Sequence, residues 1–228
     1  MNRSDARVAV YYGPARDDAL WQRGAQWLGR DPATDAAVAQ PELPDMEEIT
    51  AEARLYGFHC TLKPPMRLKP GTDWYALVDA AEKLARDIPA FTLPPLAVQN
   101  LHGFLALRET VPCPDIQALA DACVARLDEF RAPPGEAELA RRRRSPLTVA
   151  QEKNLVRWGY PYVFDTWFFH MTLTRRLSAE EHAVYRPAAE AFFADALAEP
   201  QVVTDICLFT QREPGAPFIL AQRLPLRA

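Results

Sequence analysis

The sequence predicts an α+β fold of two pseudo-symmetric lobes around a central cleft, each lobe an antiparallel sheet with helices outside. Three observations predict it. Two short stretches, Gly57-Phe58-His59-Cys60-Thr61-Leu62-Lys63 and Phe168-Phe169-His170-Met171-Thr172-Leu173-Thr174, share the pattern His, apolar, Thr, apolar, with the two-residue alternation of a strand. Each is followed by a helical pattern and then by a pair of strand-like runs, so one unit reads as used twice. The composition, 49% hydrophobic and 25% charged over 228 residues, suits a globular chain with a real core. The chain reads as a single domain over residues 1–228, with 135–162 as an inserted helical and loop segment.

The elements follow in order. Arg7 to Tyr12 is β-branched and aromatic and ends at Gly13-Pro14, as a strand does. Asp17 to Leu28 has helical spacing through Ala19, Leu20, Ala25 and Leu28. Residues 29 to 44 hold prolines and polar turn formers and read as a loop. Asp45-Met46-Glu47-Glu48 opens a short helix to about Leu55. The first His strand follows, closed by Pro64-Pro65. Thr72 to Asp87 is amphipathic, with Trp74, Leu77, Val78, Ala81 and Leu84 on one side. Phe91 to Val98 and Gly103 to Arg108 read as strands of a hairpin. Pro114-Asp115 opens a helix whose buried stripe is Ile116, Leu119, Ala120, Cys123 and Leu127. Glu136 to Arg144 and Thr148 to Trp158 are helical, the latter broken by Gly159. Val163 to Trp167 leads into the second His strand. Ser178-Ala179-Glu180-Glu181 is a capping box for a helix to about Leu197. Gln201 to Thr210 and Phe218 to Leu224 close the chain as strands.

Charge and cysteine usage narrow the function classes. A net charge of −4 and a pI near 5.6 give no global attraction to nucleic acid or anionic membrane, so any anion site is local. No stretch approaches the length of a membrane span. Met1-Asn2-Arg3-Ser4-Asp5 lacks the design of an export signal. Cys60, Cys113, Cys123 and Cys207 form no C-x-x-C pair, which reads as reduced thiols in a cytoplasm. Nothing specifies an oligomeric state.

Function concentrates on the two matched stretches. Strand alternation puts His59 and Thr61 on one face and Phe58, Cys60 and Leu62 on the other. It likewise separates His170, Thr172 and Thr174 from Phe169, Met171 and Leu173. A single strand histidine reads first as a satisfied core residue. Two matched copies, from only four histidines, read as a site. A hydrolytic step needs a base for the attacking water and an acid for the leaving group. Two imidazoles near neutral pH supply both without a metal or cofactor. Hydroxyls of Thr61 and Thr172 would stabilise charge developing on the reacting group.

The paired His-x-Thr-x motifs, each on a strand and each followed by a helix and a strand pair, resemble the 2H phosphoesterase superfamily. That group includes 2′-5′ RNA ligase-like proteins and cyclic phosphodiesterases. With Tyr56-Gly57-Phe58-His59-Cys60-Thr61-Leu62-Lys63-Pro64-Pro65, the chain most resembles a branch of uncharacterised proteins linked to phosphonate-utilisation operons. The resemblance spans essentially the whole chain. It implies that His59, Thr61, His170 and Thr172 are catalytic, with no metal. It also implies a small cyclic phosphodiester or an RNA end as substrate.

Other residues are candidates for substrate binding. Lys63 falls on the His59 face if alternation holds. Arg176 shares the face of His170, and Arg175 replaces it if the strand bulges. Tyr11 and Tyr12 compete for a place on the cleft wall, and Tyr12 is the one chosen here. Tyr160, with Tyr162 and Trp158, would form a wall for a sugar or base. The run Arg141-Arg142-Arg143-Arg144 either attracts a polyanion or is a solvated helix face beside Glu136 and Glu138. Two other readings stand beside the enzyme. Zinc would recruit His59, Cys60, His102, Cys113 and His170, although their spacing is not that of a ligand set. A non-catalytic RNA-end or nucleotide-binding protein would keep the fold, although both motifs are intact.

Overall fold

The computed structural model describes residues 6–228; residues 1–5, read above for an export signal, lie outside the described residues. In chain order the strands and helices are β1 (Arg7–Tyr12), α1 (Ala19–Leu28), β2 (Arg30–Asp31), β3 (Ala36–Ala37), α2 (Met46–Tyr56) and β4 (Cys60–Met66). Then come α3 (Trp74–Asp87), β5 (Phe91–Thr92), β6 (Leu96–Leu101), β7 (Phe104–Glu109), α4 (Pro114–Arg126), α5 (Glu136–Arg142) and α6 (Val149–Trp158). The chain closes with β8 (Met171–Arg176), α7 (Ala179–Ala198), β9 (Val202–Val203), β10 (Asp205–Gln211) and β11 (Ile219–Pro225).

The class is α+β. Seven strands form one antiparallel sheet in the order β11-β10-β1-β4-β8-β7-β6. The two lobes are its halves, joined where β4 meets β8. That seam is a single registered pair, Cys60 opposite Met171. The lobes are not sequential halves. The hairpin β6–β7, which follows the first His strand, pairs with the second. The hairpin β10–β11, which follows the second, pairs through β1 with the first. Periodicity reveals that a strand exists, but its partner is set by non-local hydrogen bonding.

Local chemistry explains the element ends. Asp18 and Asp73 cap α1 and α3 by accepting from the backbone two residues on, and Thr148 and Ser178 form capping boxes for α6 and α7. His102 and Gly103 both have positive φ, 50° and 97°, and make the two-residue turn of the β6–β7 hairpin. Two expectations are corrected here. Phe91 to Val98 is not one strand, since Leu93-Pro94-Pro95 separates β5 from β6. Pro64-Pro65 does not close the first His strand, which runs on to Met66. The register of β4 against β1 shifts twice in this stretch, and such bulges tolerate residues that cannot donate.

The sheet has two unlike faces. Val8, Val10, Tyr12, Cys60, Leu62, Met171 and Leu173 point into a large core covered by α1, α2, α3, α4 and α7. The opposite face carries a smaller cluster, Ala9, Tyr11, Cys207, Phe209 and Phe218, with Trp21. Burial of the first set fixes the register of β4 and β8, because a one-residue slip would turn every core side chain outward. The residues between Cys60 and Leu62, and on either side of Met171, therefore project to the second face.

Candidate functional site

His59 and Thr61 flank Cys60, and His170 and Thr172 flank Met171. The Cys60–Met171 pair sets these two triplets antiparallel at the seam. Continuing that register brings Thr172 opposite His59 and Thr61 opposite His170. The four side chains sit on the face away from the helices, each partly exposed. Each imidazole is then beside the hydroxyl of the other strand.

Both imidazoles are held the same way. His59 Nδ1 lies 2.8 Å from the Gly57 carbonyl, and His170 Nδ1 lies 3.1 Å from the Phe168 carbonyl. A carbonyl only accepts, so Nδ1 carries the proton and Nε2 keeps its lone pair for chemistry. On His59 that lone pair accepts from the Thr61 hydroxyl at 3.1 Å. Gly57 aims its carbonyl with φ 79°, and a Cβ there would come within 2.7 Å of Pro32.

Aromatic rings surround the pair. Tyr11 stacks on His59 with centroids 3.7 Å apart, and Tyr56 lies at 6.3 Å. Phe168 and Phe104 lie 5.0 and 6.3 Å from His170. These rings displace water from the imidazoles and disfavour their charged forms. Burial lowers His59 from the ordinary 6.5 to about 4, against the Gly57 carbonyl and with help from His170. His170 is also lowered by burial, with the Phe168 carbonyl opposing and the Arg108 charge adding. The electrostatic coupling between the imidazoles accords with their meeting at the seam.

Arg108 was not anticipated. The β7–β8 register, Ala106 opposite Thr172 and Leu107 opposite Met171, carries Arg108 to His170. Its guanidinium lies over Phe168 at 5.3 Å. Its nearest carboxylate, Glu109, is 3.9 Å away, and Nε is buried with no hydrogen-bond partner. Alternation on β7 puts Phe104, Ala106 and Arg108 on one face, but only the non-local pairing with β8 shows which face that is.

The other expected binding residues distribute as follows. Tyr160 packs with its own segment: Arg142 lies over its ring at 4.5 Å, and Tyr162 packs edge-on at 5.7 Å. Tyr12 is corrected to Tyr11, because Tyr12 shares the parity of Val8 and Val10 and lies in the core. Arg175 is corrected too: it shares the parity of Leu173 and is held by Glu48 at 2.6 Å and Glu181 at 2.9 Å. Arg176 is exposed at the far end of β8, paired across to Phe104 rather than beside the imidazoles. Thr174 is spent on the sheet, accepting from Leu105 N at 3.0 Å. The arginine run is divided: Arg143 pairs with Glu152 at 2.6 Å, and Arg141 and Arg144 are exposed. Among the described residues no three His, Cys, Asp or Glu side chains are grouped to hold a metal. Cys60 turns into the core, away from His59.

Lys63 is also corrected. A bulge between Val10 and Tyr11 breaks the alternation that placed it beside His59. Its side chain is 2% exposed, the ammonium donating to the Val124 carbonyl at 3.0 Å and lying 3.6 Å from Asp128. Burial lowers its pKa from 10.5 to about 8, against the pull of Asp128. The unfolded chain then holds this proton more tightly than the folded one, so Lys63 lends stability as pH rises from about 8 to 10.5. The urea-unfolding free energy of the wild type minus that of Lys63→Met is expected to grow across that window, by about 3 kcal/mol in all. A difference that stays flat from pH 7 to 10 contradicts this.

A family model described as "Protein of unknown function (DUF1045)" matches residues 61–219. The chain is 41% identical over 233 residues to "Ribose 1,5-bisphosphate phosphokinase PhnN" of Janthinobacterium sp. (strain Marseille), covering 98% of this chain and 51% of that protein. A protein of the same name from Laribacter hongkongensis (strain HLHK9) is 36% identical over 219 residues, covering 95% and 51%. The chain thus spans about half the length of these curated relatives. Among solved structures, E. coli LigT complexed with phosphate is similar with a TM-score of 0.48 at 12% identity, covering 99% of this chain and 100% of that one.

Proposed function

The chain belongs to the DUF1045 family, and from its two-histidine face we propose a metal-independent phosphodiesterase of the 2H type that opens a cyclic phosphodiester. One observation carries the reading. Two His-x-Thr triplets meet antiparallel at one registered pair, with both imidazoles held by Nδ1 so that the Nε2 lone pairs face away from the backbone, that of His59 toward the Thr61 hydroxyl.

In the proposed reaction, one neutral imidazole takes a proton from water through Nε2. The water oxygen bonds to phosphorus as the opposite P–O bond breaks. The other imidazole, protonated, gives its proton to the departing oxygen, leaving a phosphate monoester. Thr61 and Thr172 donate to the non-bridging oxygens. A phosphate oxygen that takes the Thr61 hydroxyl releases the His59 lone pair it now occupies. Arg108 offsets charge on the His170 side. Burial keeps both imidazoles neutral at pH 7, and the arriving anion favours protonation of one of them.

The proposed substrate is a small cyclic ribose phosphate rather than an RNA end, and its setting phosphonate metabolism. The relatives' name joins ribose to two phosphates. Opening a cyclic phosphodiester on a phosphorylated ribose produces a compound of that class. The chain has no G-x-x-x-x-G-K-[ST] loop to cradle a nucleotide, so the phosphorylation those relatives are named for is not what is proposed here. The test is a panel of cyclic phosphodiesters in excess chelator. Turnover that persists in chelator is expected. Turnover lost on chelation and restored by one divalent ion would favour a metal mechanism.

A further inference from the structure

The segment 135–162 brings a cation to the site that the proposed reaction does not use. Arg142, the last residue of α5, lies 4.5 Å over the Tyr160 ring, and its buried Nε has no hydrogen-bond partner. The neighbouring Arg143 is neutralised by Glu152, which also ties α5 to α6. Among the described residues no carboxylate pairs with Arg142. A buried guanidinium nitrogen without an acceptor is costly, and a phosphate is the ligand whose geometry it fits.

Trp158, Gly159 and Glu138 of this segment line a cavity with Arg7 of β1 and Lys63, Pro64 and Pro65 of β4, the strands that carry Tyr11 and Thr61. Asn154 donates to the Val163 carbonyl at 3.0 Å, and Trp167 Nε1 donates to the Thr61 carbonyl at 2.8 Å. Burial raises the Tyr11 phenol, with Tyr56 and Tyr160 adding to the effect and Arg7 opposing it. Tyr11 is the ring stacked on His59. Arg142 is thus carried by a segment packed on β1 and β4, the strands of the His59 half, whereas the β7–β8 register puts Arg108 at His170. A ligand that meets both cations carries two anionic groups.

On the catalytic reading above, we infer that Arg142, carried over Tyr160, is a specificity residue for a second, non-reacting phosphate. The substrate is then a cyclic phosphodiester that also bears a phosphate monoester. The test is calorimetric binding of adenosine 3′-phosphate and adenosine 3′,5′-bisphosphate to the wild type and to Arg142→Gln, Arg142→Lys and Arg144→Gln. The wild type is expected to bind the bisphosphate about 10- to 100-fold more tightly, the range of a charged hydrogen bond. Arg142→Gln brings the ratio close to one, Arg142→Lys keeps part of it, and the exposed control Arg144→Gln keeps all of it. Equal wild-type affinities, no binding of either nucleotide, or a ratio unchanged in Arg142→Gln overturns the inference. Turnover is measured separately. A binding ratio that depends on Arg142, with no hydrolysis of any cyclic phosphodiester, refutes the catalytic reading and leaves this subsite standing.

Discussion

Replacing either His59 or His170 with Ala is expected to lower turnover of a cyclic phosphodiester by about 10²–10⁴-fold, the range for one positioned proton-transfer group. Both side chains are partly exposed and, among the described residues, make polar contacts only with residues two positions away, so folding should persist in both variants. The double variant is expected to lose less than the product of the two single losses, because base and acid act in one step. Thr61→Ala and Thr172→Ala remove donors to the phosphate and should cost rate without moving the pH optimum. Steady-state kinetics with circular dichroism as a folding check decide the matter. Two single variants with wild-type turnover would make the paired motifs structural.

The largest stability effect is expected at Phe58, the residue before His59. Its ring is 1% exposed in the main core and stacks on Phe193 with centroids 6.1 Å apart at 14°. On the other side it presses on Gly24, where an added Cβ would stand 2.2 Å from the ring. Phe58→Ala opens a cavity among α1, α7 and β4 and is expected to cost about 3–5 kcal/mol in urea unfolding. It also loosens the strand that carries His59, so turnover should fall with stability. A loss under about 1 kcal/mol would mean that the neighbouring rings collapse into the space.

The His and Thr of both motifs were legible because strand alternation is local and the apolar residues between them name the buried face. Helix starts at Thr148 and Ser178 were legible for the same reason, since a cap lies within one turn, whereas the caps Asp18 and Asp73 lie one residue past the expected starts at Asp17 and Thr72. Pairing was not legible. The exchange of hairpins between lobes, and with it the approach of Arg108 to His170, depends on hydrogen bonds between distant strands. Lys63 was misplaced because a bulge reverses parity, and nothing at residues 60–66 except the two prolines hints at it. Tyr11 could have been chosen over Tyr12, since Val8 and Val10 already mark the core parity. Arg142 shares its run with three other arginines. Only the tertiary positions of Glu152 and Tyr160 tell them apart.

The most direct test of the two-histidine account is the pH profile of kcat/KM for the wild type and each His→Ala variant. This parameter reports ionisations of the free protein. Burial lowers both imidazoles, His59 to about 4, so the form with one neutral and one protonated ring is most populated below the ordinary 6.5. The account predicts a bell centred on the acid side of 6.5 for kcat/KM. It predicts a kcat profile displaced to higher pH, because the bound anion favours the protonated ring. Each single variant should lose one limb. A flat profile in the wild type, or an unchanged bell in both variants, would contradict it.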